Sequence, residues 1–149
     1  MNEVFIQLLT ATLGTLGFAL IFNLPKRYMF FSCLGGLLSW AAFLLFSQWI
    51  ESLFLTALIA SFIAGIYAEL MAGFLKAPST LFLITAVIPL IPGSSLYYTM
   101  NAAVSANSAA FSLYSSRTTE YALGIAIGLS VALMLAGVLR SRKKPVHST

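Results

Sequence analysis

Hydrophobic residues in this chain come in long unbroken runs, not in alternation with polar ones. No charged residue lies between Val4 and Pro25, between Tyr28 and Ile50, from Ala77 to Ser116, or from Tyr121 to Leu139. At about 1.5 Å per residue, each run is long enough as a helix to cross about 30 Å of hydrocarbon. Backbone groups in lipid must pair internally, so spanning segments are helices or closed barrels. Barrel strands alternate in polarity and these runs do not. The pattern therefore predicts an all-α, polytopic membrane helical bundle. Its spans are expected at 4–22, 28–46, 52–75, 79–106 and 119–139, with a basic tail at 140–149. The fourth span is expected to be a broken helix, interrupted at Pro89-Gly93. The whole chain, 1–149, reads as a single integral membrane domain.

The number of crossings turns on the uncharged stretch from Ala77 to Ser116, which holds Pro89, Pro92 and Gly93 near its middle. It is either one broken crossing or two crossings joined at Pro92-Gly93. One crossing gives five spans. Lys26, Arg27, Lys76, Arg140, Arg142, Lys143 and Lys144 then share one side, and Arg117 is alone on the other. Two crossings give six spans and an even split of basic residues. Cytoplasmic loops carry the Lys/Arg excess, so five spans are expected, with the N-terminus outside and the C-terminus cytoplasmic.

Composition agrees. Of 149 residues, 60% are hydrophobic and 8% charged, against roughly 25% charged in a soluble domain. The net charge of +4 reflects the tail, which holds four of the eight basic residues. It reads as a topology signal with affinity for anionic headgroups of the lipid bilayer, not as a nucleic-acid site. The first run is longer than a signal-peptide core and no basic residue precedes Lys26, so it reads as a retained span. Cys33 is the single cysteine, which leaves no intrachain disulfide. The apolar runs contain no His or Asp, and His147 has no partner at metal-ligand spacing. No catalytic residue, metal site or cofactor is expected.

Small residues recur every fourth position in two spans: Ala57, Ser61, Gly65, Glu69, Gly73, and Gly124, Gly128, Ala132, Ala136. Such stripes let helices approach closely in lipid. Glu69 lies on the first stripe, seven residues before Lys76. Intramembrane carboxylates face a bundle interior or an aqueous cavity and often relay protons, so Glu69 is a candidate for ion coupling. The plainer reading is an interfacial residue that reaches headgroup water or pairs with Lys76. Glu120, three residues after Arg117, reads as half of a surface pair.

The most informative segment runs from Pro89 to Asn101. Pro89 and Pro92 remove two backbone donors and leave carbonyls without helical partners. Gly93 permits a sharp turn, and Ser94 or Ser95 is expected to cap the next helix. Ser94, Tyr98, Asn101, Ser105 and Ser108 form a polar stripe beyond the break. Broken membrane helices occur where they line a cavity or are buried in protein. The new helix start favours a carboxylate. Ser94, Ser95, Tyr97, Tyr98 and Asn101 are thus the candidate substrate-binding residues, placed near mid-membrane, with Pro89, Pro92 and Gly93 as the structural break. The plainer reading is a proline kink.

The motif Pro-x-x-Pro-Gly-Ser-x-x-Tyr, here Pro89 to Tyr97, resembles the threonine/serine exporter family, specifically its small subunit of the ThrE C-terminal type. The resemblance covers essentially the whole chain, in size, span pattern and Pro78 ahead of the break. It implies secondary export of small amino acids or dicarboxylates, of threonine/serine or succinate type, across the inner membrane. It also implies a small carboxylate-bearing substrate and a larger membrane subunit of the same family as partner; a homo-oligomer is left open. The competing expectation is a non-transporting assembly or regulatory membrane subunit that uses its small-residue faces only to dock.

Overall fold

The computed structural model describes residues 2–143. Six α-helices follow one another: α1 Asn2–Ile21, α2 Lys26–Ser47, α3 Leu53–Leu75, α4 Ser79–Val87, α5 Gly93–Val104 and α6 Ser108–Lys143. A single 3-10 turn, Ile88–Leu90, follows α4. Helices α1, α2, α3 and α6 are each long and apolar enough to cross a membrane. The segments Ser79–Leu90 and Gly93–Val104 add a fifth crossing if the bent pair is one span. The tail beyond Lys143 and the side chains beyond Leu139, on which the charge asymmetry largely rests, lie outside the described residues.

Local chemistry sets the helix ends. Pro25 and Pro78 stand at the N-caps of α2 and α4, where proline's fixed φ suits helix entry. Ser52 caps α3 by accepting from the Leu55 N–H at 3.4 Å. At the other end of α3, Lys76 takes a left-handed conformation (φ 48°) and its N–H returns to Ala72 O. Asn107 caps α6: its Oδ1 accepts from Ala110 N at 3.1 Å, and its carbonyl accepts from Phe111 N at 2.9 Å. Helix α6 therefore starts at Ser108, well before the span expected from Thr119.

The small-residue stripes pack against each other. A Cβ added at Gly124 would lie 2.5 Å from Phe54 O and 3.1 Å from Ala57 Cβ. One added at Gly128 would overlap Ser61 Oγ and Leu58 O, and one at Gly65 would lie 2.6 Å from Ala132 Cβ. Residue numbers rise together along both helices, so α3 and α6 run parallel. The intervening α4, 3-10 turn and α5 bring the chain back to the end where α3 began. That is one net traverse, and it rules out two full crossings in this stretch, which would make α6 antiparallel to α3.

On its other side α3 meets α2 and α4. Tyr67 Oη donates to Phe31 O at 2.7 Å, and Gly35 makes room for the Tyr67 ring. Ala19, Leu24, Tyr28, Ala68, Ala72 and Phe82 form a buried apolar core, with the Tyr28 and Phe82 rings edge-on at 5.7 Å. This core sits at the end of the bundle that carries Lys26, Arg27 and Lys76.

Candidate functional site

The helix expected to break does so. Pro89 cannot donate to Thr85 O, and Pro92 cannot donate to Ile88 O. The chain answers by tightening: Ile91 N–H bonds Ile88 O at 3.2 Å, and Gly93 N–H bonds Ile91 O at 2.7 Å. The two helical segments meet at 57°. A further carbonyl beside the break, Ala86 O, accepts from Ser39 Oγ of α2 at 2.6 Å. The bundle itself thus takes up part of the carbonyl capacity at the break.

Two expectations about how the turn is made are corrected. Gly93 has no positive φ, and a Cβ there would meet nothing within 4 Å. The change of direction is made at Ile91 and Pro92, whose ψ angles of 126° and 58° depart from helical geometry. Neither Ser94 nor Ser95 caps α5. The N-cap is Pro92, with no side-chain cap bond, and both serines fall in the first turn, where backbone N–H groups have no intrahelical acceptor.

The candidate binding residues share α5 but are not enclosed by this chain. Helix α5 packs chiefly on the first part of α6. Tyr98 stacks on Tyr114 at 5.2 Å, and Thr99 and Thr118 share a hydroxyl hydrogen bond at 3.3 Å. Ser94, Tyr97, Tyr98 and Asn101 are exposed, Tyr97 at 66%, while Ser95 is half-buried. Tyr97 meets Tyr98 edge-on at 5.5 Å. Ser105 donates to Asn101 O. The face thus offers the Ser94 hydroxyl, two phenols and the Asn101 amide side by side, backed by α6 and open in front. Ser108, the last position of the expected polar stripe, belongs to α6.

Glu69 stands apart from this face. It is half-buried on α3, one turn beyond Gly65. Glu120 accepts from Ser116 Oγ at 3.3 Å. Among the described residues no group of three or more His, Cys, Asp or Glu is placed to hold a metal.

A groove of about 340 Å3 on the other side of the break has no counterpart among the sequence expectations. Gln7, Thr10 and Gly14 of α1, Trp40 of α2, and Ile88 and Pro89 at the break line it, and its walls are almost wholly apolar. Trp40 Nε1 is buried without a hydrogen-bond partner, as is Ser32 Oγ deeper in α2. The signals were a lone Trp and a Gln in apolar runs. Nothing in their spacing shows that they converge on Pro89.

These features define a polytopic helical membrane protein with one broken crossing beside an open polar face. The chain belongs to the threonine/serine exporter family: the family described as Threonine/Serine exporter, ThrE, matches residues 7–135, which span α2 to α5, the break and most of α1 and α6. Its role is transport of the threonine/serine exporter type, in a multi-pass membrane setting. No solved structure matches the chain.

Proposed function

We propose that this chain is the small subunit of a secondary exporter of small amino acids or dicarboxylates, completed by a larger membrane subunit of the same family. The carrying observation is the face of α5. Ser94, Tyr97, Tyr98 and Asn101 lie together beside a helix break and remain exposed among the described residues. A polar face left open this way fits half of a binding site. Its donors suit a carboxylate: first-turn N–H groups of α5 with the helix dipole, and the hydroxyl and amide side chains. The other half, including an acceptor for a substrate ammonium, comes from the partner.

The orientation that accompanies this reading puts the N-terminus outside and the basic tail in the cytoplasm, in the inner membrane. Glu69, on α3 one turn beyond Gly65, is the candidate for ion coupling. The test is reconstitution. The chain alone in liposomes gives no counterflow of threonine, serine or succinate, and addition of the larger subunit restores it. Counterflow by the purified chain alone contradicts the reading. The assembly-subunit reading, in which the small-residue faces only dock, predicts that α5 substitutions cause no selective loss of flux.

A further inference from the structure

The described helices do not all fit one bilayer thickness, and the mismatch locates the α5 face. At the end of α2 near the basic loops, the Arg27 guanidinium sits 4.4 Å from the centre of the Tyr28 ring, beside Lys26. At its far end, Trp49 is 82% exposed, next to Glu51. Aromatic and basic residues of this kind mark the two membrane–water interfaces. From Tyr28 to the end of α2 at Ser47, just before Trp49, the helical rise is about 28 Å, close to the roughly 30 Å of hydrocarbon in a bilayer.

Helix α6 has 36 residues, a length of about 54 Å. Its stretch Ser108–Leu139 is about 48 Å and would need a tilt near 50° to stay within the hydrocarbon, beyond the usual 0–40°. The close parallel packing on α3 ties its direction to a helix of 23 residues. Register then decides which end protrudes. Gly124 lies against Phe54 and Ala57, in the first turns of α3. Thr118 is therefore about 9 Å beyond that level and Ser108 about 24 Å beyond it. Helix α5 accompanies this overhang, as the Thr99–Thr118 and Tyr98–Tyr114 contacts show.

We infer that the protein seats in the bilayer with Tyr97, Tyr98 and Tyr114 at the headgroup level beside Trp49, and that the tip of the α5–α6 hairpin, residues 100–113, stands in water beyond it. The partner of this aromatic ring is the headgroup zone of the phospholipid bilayer. Beside exposed Met100, Val104, Phe111 and Leu113, the tip carries exposed Asn101, Ser108 and Ser112, whose polar groups would be costly to leave unpaired in hydrocarbon. The candidate binding face then lies at the membrane surface, at the end opposite Lys26 and Lys76, and not at mid-membrane. This placement stands independently of the transport reading.

Spin-label depth measurements test it on the full chain in phosphatidylcholine–phosphatidylglycerol liposomes. Cys33→Ser supplies the background, with single Val104→Cys and Phe111→Cys at the tip and Ile127→Cys and Val131→Cys as references on exposed positions of α6. The expected result is collision with a water-soluble nickel chelate exceeding collision with oxygen at 104 and 111, and the reverse at 127 and 131. The two tip sites are independent, so a folding failure at one leaves the other informative. Oxygen-dominated collision at 104 and 111, equal to that at 127, overturns the inference and returns the hairpin to the hydrocarbon.

Discussion

Gly65 of α3 and Ala132 of α6 meet so closely that a Cβ at position 65 would lie 2.6 Å from the alanine methyl. With Gly124 on Ala57 and Gly128 on Ser61, this contact fixes two long helices parallel and in register. In lipid no hydrophobic force holds helices together, so the seam depends on close van der Waals packing. Gly128→Leu is expected to destabilise the folded protein by about 1–3 kcal/mol, the range for overpacking. Gly137→Leu on the same helix, where a Cβ meets nothing within 4 Å, should stay within about 0.5 kcal/mol. Unfolding midpoints in detergent check both; equal midpoints would show that the seam is not tight.

Two other glycines separate folding from function. A Cβ at Gly36 would overlap Thr15 Oγ1 of α1, whereas one at Gly93 meets nothing. Gly36→Leu is therefore expected to lower the yield of folded protein. Gly93→Leu should leave the isolated chain folded and interfere only with what approaches α5 from outside. Detergent-stable yield and export rate, measured side by side, read the two effects.

Ser39 ties α2 to the broken helix through Ala86 O. Interhelical hydrogen bonds in membranes are worth about 0.6–2 kcal/mol. Ser39→Ala should lose a stability in that range, and amide exchange should rise first across residues 86–92. Exchange unchanged there would mean that the break holds its shape without the bond.

Much of this was legible in the sequence, for physical reasons. Lipid forbids unpaired backbone, so uninterrupted apolar runs had to be helices. Pro89 and Pro92 had to break the fourth. The stripes Ala57–Gly65 and Gly124–Ala132 declared a close seam, though not which stripe met which. The start of α6 was missed because Asn107 acts as a cap inside a stretch with no charge to mark an end. The turning role of Gly93 and the serine caps were misread because a Pro-Gly-Ser run suits several turn geometries, and the chain uses one in which Ile91 and Pro92 redirect it. The groove at Trp40 and Pro89 joins residues 49 positions apart, and no local pattern encodes such convergence.

The central claim is that the open face of α5 handles substrate. The most direct measurement is export of threonine or serine from cells that make the chain together with the proposed larger subunit, over a range of internal substrate concentrations. Ser94→Ala, Tyr97→Phe and Asn101→Ala, singly and together, are compared with the unaltered chain at matched membrane abundance. Each single change is expected to raise the apparent KM or lower the rate by several-fold, as for loss of one hydrogen bond of about 0.5–1.5 kcal/mol. The triple change should abolish saturable export while the complex still co-purifies. Unaltered export kinetics in the triple variant would contradict the account and place the binding site on the partner.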